Sequence, residues 1–377
     1  MATVVFLAPL GAIRKRTRLA KMASLIRARG DDLLFFGWER EKGEAEALRS
    51  ADPGIRERVI LRGGGYASRW TRLFYPLWMA AVFLRVLGLG RDKALFCLGW
   101  ETAFPARLAS IFTGARVIFD DADRFSKIVR LPGPLHRGLE GLERWTSRSV
   151  AMHLVPSFSR YDWRHYRMLE LNNSPLLADM ERARAEAPAR PEAALVVYAN
   201  GWIGETRGAP VFLRALDLIE ARKLDIRMVI AGRVSGPGAN ELIGHPWVTF
   251  VGEVSQSEAL SWYASVDVLL TYYDPVVPIN RTAESNKWGD AVFFGTPFVV
   301  NAEVVTAAAF VAEGAAWAVP YEDAGALVDL LDALSRDPAR IREAAEKLAG
   351  FRKSYRVFDE RMTEILDMAQ SKGEPAC

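Results

Sequence analysis

One segment of this sequence has the residue types of a diphosphate site. After a short apolar run at 194–198, residues 200–208 read Asn-Gly-Trp-Ile-Gly-Glu-Thr-Arg-Gly, just before a predicted helix. Glycines let the backbone approach a ligand, a helix start offers free N–H groups, and Arg207 adds a positive charge. A plain strand-to-helix turn with a surface arginine is the alternative interpretation.

A second segment could hold the rest of a nucleotide sugar. Residues 283–290 read Ala-Glu-Ser-Asn-Lys-Trp-Gly-Asp, and Phe-Gly-Thr-Pro follows at 294–297. Lys287 and Asp290 are three residues apart, so they share one face of a predicted helix. The lysine would suit a phosphate and the carboxylate a ribose diol. An ion pair on a solvated helix face is the alternative.

A third segment is acidic. Residues 119–126 read Phe-Asp-Asp-Ala-Asp-Arg-Phe-Ser and follow a predicted strand. Ligands of open parallel sheets bind beyond the carboxyl ends of the strands. Crowded carboxylates repel one another, which can raise a pKa toward the range of a general base. Aspartates that cap a helix would look the same, and the two interpretations are compatible.

Alternating strands and helices must position these segments. In the first half the hydrophobic pattern predicts strands at 3–7, 32–36, 94–98, 116–119 and 152–155, with helices at 18–29 and 102–112. In the second half it predicts strands at 194–198, 227–231, 248–251, 268–271 and 298–301, with helices at 210–222, 257–264, 282–294 and 324–335. Strands separated by helices favour parallel βαβ units. The prediction is an α/β protein with two Rossmann-like, doubly wound domains facing a cleft.

The length of 377 residues fits two domains of ordinary size. We expect an N-terminal acceptor-binding domain at 1–170 and a nucleotide-sugar-binding domain at 194–354. The stretch 171–193, rich in Ala, Glu, Arg and Pro, is interpreted as a linker. A C-terminal helix at 355–377 is expected to pack back on the first domain.

Charge is distributed unevenly between the two halves. Residues 1–150 hold 26 Lys+Arg against 15 Asp+Glu, a net charge of +11, and the remainder holds 23 against 31, a net charge of −8. A basic half indicates an anionic partner. Zinc-finger and RNA-recognition motifs are absent from the sequence, so a membrane or lipid phosphate ranks ahead of nucleic acid. The basic residues after the first strand are candidates to meet an acceptor phosphate or the membrane: Arg14, Lys15, Arg16 and Arg18.

An apolar run at 73–84 is too short to span a bilayer. It belongs to a predicted helix whose aromatic residues and flanking arginines would suit the membrane surface. A buried helix of the first domain is the alternative. The aromatic residues are Trp70, Phe74, Trp78 and Phe83, and the arginines are Arg69, Arg72 and Arg85.

Cysteine usage points to a reducing compartment. Cys97 lies in an apolar predicted strand and Cys377 is the last residue, which argues against a structural disulfide. The apolar start of the chain is not preceded by a basic region and is interpreted as a strand, not a secretory signal. The expected location is the cytoplasm, peripheral on the inner membrane face.

The second domain resembles glycosyltransferase family 4 and its GT-B relatives. The shared features, in order, are the glycine-rich loop with Arg207, Ala231-Gly232, the Val-x-Phe-x-Gly stretch at 248–252, an Ala-Asp-Val-like run at 266–268 and a helix ending in Gly-x-Pro. Trp202 replaces the family's arginine in the first loop. Thr282 and Asp290 stand where retaining enzymes have a Glu-x7-Glu pair.

Taken with the motifs, this resemblance implies a metal-independent nucleotide-sugar site without a cofactor. The expected ligand-binding residues are Gly201, Trp202, Gly204, Arg207, Arg233, Gly252, Glu253, Tyr272, Glu284, Asn286, Lys287 and Asp290. The sequence Asp-Ala-Asp at 121–123 matches the metal motif of GT-A enzymes, but the GT-B resemblance argues against that interpretation.

The pattern Asn-Lys-x-x-Asp followed by Phe-Phe-Gly-x-Pro is similar to that of the xanthan-type glucuronosyltransferase, an inverting enzyme at the inner membrane face with a lipid pyrophosphate oligosaccharide as acceptor. This resemblance implies Asp123 as the catalytic base, Lys287 as a phosphate ligand and Asp290 as a ribose ligand.

The sequence therefore predicts a glycosyltransferase acting in polysaccharide or glycolipid biosynthesis. It would move a sugar from a nucleotide diphosphate sugar to a lipid-linked glycan acceptor at an anionic membrane. Two alternatives remain open. One is a non-catalytic GT-B subunit that binds and regulates a partner transferase. The other is a nucleotide-sugar epimerase, which needs further acid and base groups that the sequence does not identify.

Overall fold

The computed structural model describes residues 3–66, 71–91, 93–121, 123–129 and 131–370. The chain divides into two compact units. The first unit consists of Met1–Leu171 together with Asp359–Cys377, and the second of Asn172–Phe358. The end of the chain thus belongs to the same unit as its beginning.

The first unit is built on a seven-stranded parallel sheet. Its strands are Thr3–Ala8 (β1), Asp32–Glu39 (β2), Ile55–Arg62 (β3), Ala94–Leu98 (β4), Arg116–Asp120 (β5), Met152–Val155 (β6) and Met168–Glu170 (β7). Their order in the sheet is β3-β2-β1-β4-β5-β6-β7. The chain winds outward from β1 in one direction and from β4 in the other, so the sheet has its topological switch point between β1 and β4.

Helices cover this sheet. They are Thr17–Ala28 (α1), Glu44–Ala47 (α2), Thr71–Leu87 (α3), Trp100–Thr113 (α4), Phe125–Ile128 (α5), Gly133–Ser149 (α6) and the C-terminal helix Phe358–Gln370. The apolar side chains of β1 and β2 pack against α3 and α4, with Trp38 and Trp78 fully buried. Short 3₁₀ helices occur at Ile13–Lys15 and Phe158–Arg160.

The C-terminal helix is held to the first unit by polar contacts. Arg361 Nε donates to the carbonyl oxygen of Glu170, and Asp367 pairs with Arg29 at 2.6 Å. Most of the predicted segment 355–377 is therefore this helix, while residues 371–377 lie outside the described ranges.

The second unit has a six-stranded parallel sheet and a two-stranded parallel ribbon. The strands are Leu195–Asn200 (β8), Ile203–Gly204 (β9), Ile226–Ala231 (β10), Val234–Ser235 (β11), Val248–Gly252 (β12), Val268–Thr271 (β13), Phe298–Asn301 (β14) and Ala316–Val319 (β15). The sheet order is β12-β10-β8-β13-β14-β15, and β9 pairs with β11. Its switch point lies between β8 and β13.

Helices pack on both faces of this sheet. They are Leu177–Ala185 (α7), Ala209–Ala221 (α8), Pro237–Ile243 (α9), Gln256–Ser261 (α10), Asn286–Phe294 (α11), Ala308–Ala312 (α12), Ala324–Arg336 (α13) and Pro338–Gly350 (α14). Alternate residues of β8 belong to different core clusters: Val197 faces one and Tyr198 the other. A strand covered on both faces is apolar throughout, which is why β8 reads as an unbroken apolar run. Short 3₁₀ helices occur at Trp262–Ala264, Pro278–Thr282, Val305–Ala307 and Phe351–Lys353.

Several elements differ from the sequence-based expectation. The strands β3, β7 and β15 were not predicted. Half of the residues of β3, an edge strand of its sheet, are charged, so it lacks the apolar run of a buried strand, and β7 has only three residues. The helix expected at 282–294 begins at Asn286, since Pro278–Thr282 forms a separate 3₁₀ helix.

The expected linker at 171–193 contains the helix α7, which belongs to the second unit. Met180 and Ala183 are buried, and Arg184 donates to the carbonyl oxygen of Phe293. The alternation of charged residues with alanine in this segment is therefore that of an amphipathic helix with one packed side.

The expected membrane face of α3 is turned inward instead. Trp78 is fully buried and donates to Thr102 Oγ1, and the ring of Phe74 stacks on Trp38. Trp70 and Arg69 lie outside the described residues. The solvent side of α3 carries leucines, with Leu73, Leu77 and Leu84 exposed by 60%, 53% and 68%. No helix in the described part of the chain is long and apolar enough to cross a membrane.

Candidate functional site

In the second unit, two loops meet at the carboxyl ends of neighbouring strands β8 and β10. Gly201 follows β8 and Gly232 follows β10, and both have a positive φ, of 90° and 124°. A Cβ on Gly232 would lie 2.1 Å from the carbonyl oxygen of Gly201. Only glycine fits at Gly232, so the loop that begins at Gly201 is fixed close to the end of the sheet.

Lys287 lies beside this loop. A Cβ on Gly201 would be 3.6 Å from Lys287 Nζ. Lys287 belongs to the first turn of α11, where Ser285 Oγ caps the helix by accepting from Lys287 N. Tyr273 OH donates to Ser285 Oγ at 2.7 Å and so holds the cap in place. The N-terminus of α11, with its positive dipole end, and the lysine thus lie near the Gly201 loop.

Arg207 brings a second positive charge to the same place. Its guanidinium lies 4.8 Å from the ring centroid of Tyr273, and Lys287 Nζ lies 5.8 Å from that centroid. Arg207 also donates to Asn280 Oδ1 at 2.7 Å and lies 5.6 Å from the ring of Trp202. Two cations and a helix N-terminus therefore converge around Tyr273, an arrangement suited to an anion such as a diphosphate.

Other predicted donor residues are spread around these loops. Trp202 is half-exposed and donates to Ser235 Oγ, while Glu284 accepts from Tyr355 OH. Gly204 lies on β9 and Gly252 ends β12. The side chains of Arg233, Glu253 and Asn286 are exposed.

Two predicted donor residues point into the protein. Asp290 and Tyr272 are each only 3% exposed. Tyr272 packs against Phe212, and burial raises the pKa of its hydroxyl. The alternative of an ion pair on a solvated helix face is therefore wrong, and the carboxylate predicted to bind a ribose is buried. The spacing puts both residues on one side of α11, but Asp290 lies further along the helix, near the buried ring of Tyr263. The pKa of the Tyr263 hydroxyl is raised by burial and, in second place, by the nearby Asp290.

The first unit has a cavity of about 230 Å³ at its switch point. It lies where the chain leaves β1 and β4, at the carboxyl ends of these strands. The charged side chains on its wall are Arg16, Arg40, Glu101 and Asp123, and the aromatic ones are Tyr66 and Tyr75. This is the position at which open parallel sheets bind their ligands.

The three aspartates after β5 have different surroundings. Asp123 lines the cavity and is paired with Arg16 at 3.1 Å and with Arg160 at 3.6 Å. Asp120 is buried in a two-pronged pair with Arg18. Asp121 is buried and accepts from Tyr161 OH at 2.7 Å. Only Asp123 of the three is on the cavity wall.

The four basic residues after β1 also have different surroundings. Arg16 lines the cavity. Lys15 pairs with Glu44 at 2.5 Å, and Arg14 is exposed. Arg18 is only 6% exposed and donates to the carbonyl oxygen of Leu171 as well as to Asp120. The expectation that Arg18 meets an acceptor or a membrane is wrong, because its charge is used inside the first unit.

Sequence reasoning missed Glu101 and Arg40. Glu101 lies in the first turn of α4, three residues after the end of β4, and is only 7% exposed. Burial raises its pKa to about 7. Arg40 directly follows β2. Arg40 belongs to a run of charged residues at 39–42 and Glu101 to a helix start, so no local motif marks either. The available signal was a charged residue within three positions of the end of an apolar strand.

Within the described ranges, no group of three or more His, Cys, Asp or Glu side chains is arranged to hold a metal ion.

Comparison with known proteins identifies the second unit. Residues 194–337 match the family model of glycosyl transferases group 1. This segment includes both strand-end loops and α11. No curated protein matches the chain in sequence.

Solved structures match the whole chain. A sucrose-phosphate synthase from Thermosynechococcus elongatus is similar with a TM-score of 0.67, at 14% identity over 98% of each chain. A UDP-forming α,α-trehalose-phosphate synthase from Burkholderia vietnamiensis has a TM-score of 0.65, at 11% identity over 98% of this chain and 100% of that one. A UDP-N-acetylglucosamine 2-epimerase structure from Listeria monocytogenes has a TM-score of 0.61, at 13% identity over 97% and 95%.

At such identities the similarity to solved structures shows the fold, and the family match adds the type of domain in the second unit. The two α/β units with parallel sheets of seven and six strands are those of the GT-B fold. On these grounds the chain has the GT-B fold, and its second unit contains a domain of the glycosyl transferases group 1 type, which supports a glycosyltransferase.

Proposed function

We propose that the second unit binds the donor with its diphosphate between Arg207, Lys287 and the N-terminus of α11. The observation that carries this proposal is the convergence of both cations on Tyr273, beside the Gly201 loop. When the bond between the sugar and the diphosphate breaks, negative charge grows on the leaving group. Cations that are already in place stabilise that charge without reorganisation. No metal is needed for this role, and we propose a metal-independent reaction.

The acceptor would bind in the cavity of the first unit, and the reaction would invert the anomeric configuration. An acceptor hydroxyl attacks the anomeric carbon, the bond to the diphosphate breaks, and the hydroxyl proton passes to a carboxylate. Asp123 is the proposed base, because it is the one aspartate of its cluster on the cavity wall. A carboxylate in this position contributes by general-base catalysis.

The acceptor is proposed to be a lipid-linked glycan at an anionic membrane, in polysaccharide or glycolipid biosynthesis. Two observations support a peripheral membrane position. The first 150 residues carry a net charge of +11, from 26 basic and 15 acidic residues. The outer side of α3 exposes Leu73, Leu77 and Leu84. Basic charge and exposed apolar side chains together favour binding at an anionic lipid surface.

Transfer is tested by incubating the protein with UDP-, GDP- and ADP-sugars and a lipid extract, and measuring release of free nucleoside diphosphate. We expect release from one donor, dependent on the extract, and its loss in the double variant Arg207→Ala, Lys287→Ala. The similarity to an epimerase structure makes isomerisation the second candidate. An epimerase would change the sugar of the donor without needing any acceptor. Absence of both reactions would favour a non-catalytic subunit.

A further inference from the structure

Arg40 lies on the wall of the cavity and forms no salt bridge with any of the described residues. Its guanidinium carbon lies 4.3 Å from the ring centroid of Trp38, 5.2 Å from that of Tyr66 and 5.5 Å from that of Tyr75. In the described part of the chain no carboxylate pairs with it, and its Nε is buried without a hydrogen-bond partner. Aromatic rings hold the charge in position but leave its hydrogen-bonding capacity unused.

The other cations near the cavity are already paired. Arg16 pairs with Asp123, and Lys15 pairs with Glu44, which also accepts from Tyr66 OH. A cationic donor that stays unsatisfied in a partly buried place costs free energy. A bound anion would recover that free energy, so the arrangement around Arg40 fits a ligand that brings a negative group.

We propose that this cavity binds a single sugar ring carrying a carboxylate or a phosphate, with Arg40 binding the anionic group. Calling that ring the acceptor rests on the proposed function. The cavity of about 230 Å³ is smaller than the ~300–1,000 Å³ of pockets for drug-sized ligands, so it has room for one ring of a glycan and not for several. The anionic ring would be the terminal residue of the acceptor.

Binding of the anion is coupled to protonation of the Glu101 carboxyl group. Its carboxyl group lies on the wall of the same cavity. Burial raises its pKa to about 7, Arg40 and Arg16 lower it, and Asp121 raises it. Asp123 is the other carboxylate on the cavity wall. An anion bound to Arg40 offsets the positive charge that stabilises ionised Glu101, and it repels the Glu101 carboxylate. Both effects raise the pKa of Glu101 further.

The sign of the pH dependence follows. Because the bound anion favours protonated Glu101, binding and proton uptake promote each other. Affinity for an acidic sugar should be highest below the pKa of Glu101 in the free protein and should fall as the pH rises through about 7. A neutral sugar should bind without this dependence.

Calorimetric titration of the full chain with glucuronate, glucose 6-phosphate and glucose tests the proposal. We expect one of the acids to bind and glucose to bind at least about tenfold more weakly, since a charge-assisted hydrogen bond is absent. Arg40→Gln should weaken binding of the acid by about ten- to a hundredfold. The control Arg58→Gln removes the same charge from an exposed position on β3 and should leave affinity unchanged. Tighter binding of glucuronate would identify the anionic group of the ligand as a carboxylate, and tighter binding of glucose 6-phosphate would identify it as a phosphate.

The second arm compares affinities at about pH 6 and about pH 8. Wild type should bind glucuronate, which carries the same charge at both pH values, more weakly at the higher pH, and Glu101→Gln should remove that difference. If Arg40→Gln fails to fold, as judged by its melting temperature, Arg40→Lys keeps the charge but not the planar fork and should still weaken binding. Equal binding of acids and glucose, binding of none of them, or wild-type affinity in a folded Arg40 variant would overturn the proposal.

The two proposals fail separately. If an acid binds through Arg40 but no nucleoside diphosphate is released with any acceptor, the proposed transfer is wrong and the anion site stands. If a neutral acceptor is glycosylated and acids do not bind, the transfer stands and the anion site is wrong.

Discussion

At the scale of single residues, partners decide what each charged group can do. The aspartates of the cluster after β5 look equivalent in sequence, yet Asp120 is bound to Arg18 in the interior and Asp123 lines the cavity. Lys287 and Asp290 look like one functional pair, but only Lys287 is accessible. Burial thus divides residues that the sequence groups together.

This division predicts different results for two substitutions on α11. Lys287→Ala should lower nucleotide affinity by about ten- to a hundredfold, through loss of about 1.5–3 kcal/mol of a charge-assisted contact, without lowering the melting temperature. Asp290→Ala should lower the melting temperature, since it removes a buried polar group that its neighbours have packed around. The exposed Arg222→Ala is the control in the same unit. Thermal unfolding and calorimetry with nucleoside diphosphates measure both effects. Wild-type affinity in Lys287→Ala would contradict the donor site.

Asp123→Asn should lower turnover by about a hundred- to ten-thousandfold, the range of general-base catalysis. Donor affinity should barely change, because the donor residues belong to the other unit. Asp367→Asn, at an exposed position of the C-terminal helix, is the matched control. An initial-rate assay of nucleoside diphosphate release measures this. NMR of the product should show an anomeric configuration opposite to that of the donor. Near wild-type turnover in Asp123→Asn, or a retained configuration, would remove Asp123 from the role of base.

Among single residues, sequence finds those that belong to a motif. Arg207 and Lys287 each stand in a patterned loop or helix start, so their types and spacing mark them. Arg40 and Glu101 follow β2 and β4, and only the order of strands in the folded sheet brings both to one cavity. Asp290 was misjudged because a spacing of three shows which residues share a side of a helix, but not whether that side faces water.

At the scale of elements, the buried strands and the helices beside them follow from apolar runs and their spacing. The exceptions have physical reasons: β3 is an edge strand with charged residues, and α7 is a short helix with one packed side. The helix α3 shows the limit best. Its pattern predicts a helix, yet aromatic residues and leucines are both apolar, so sequence does not tell which of them pack on the sheet.

The outer side of α3 supplies a prediction at this scale. Leu77→Glu and Leu84→Glu should each reduce binding to vesicles that contain anionic lipid, because a charge replaces an exposed apolar contact. Neither change should alter the melting temperature much, since both leucines face water. Val276→Glu, at an exposed apolar position of the second unit, is the control. Sedimentation with vesicles at low and high salt measures binding, which should weaken as salt screens the basic charge. Unchanged binding of both variants would exclude α3 as a membrane surface.

At the scale of the whole molecule, each unit places its candidate ligand site at the switch point of its sheet. In the first unit this is the cavity after β1 and β4, and in the second it is the group of loops after β8, β10 and β13, the last of which carries Tyr273. The same topological rule therefore gives the chain one candidate site for each proposed substrate. The charge difference between the two halves of the sequence fits this division, with the basic half carrying the cavity proposed to bind an anion.

The most direct test of this account is a crystal structure of the full chain with a bound nucleoside diphosphate, chosen by thermal-shift screening of UDP, GDP and ADP. The account predicts diphosphate oxygens within hydrogen-bond distance of Arg207 and Lys287, at the N-terminus of α11 and beside Gly201. A nucleotide bound in the cavity of the first unit, or bound to the second unit with its phosphates away from both cations, would contradict it.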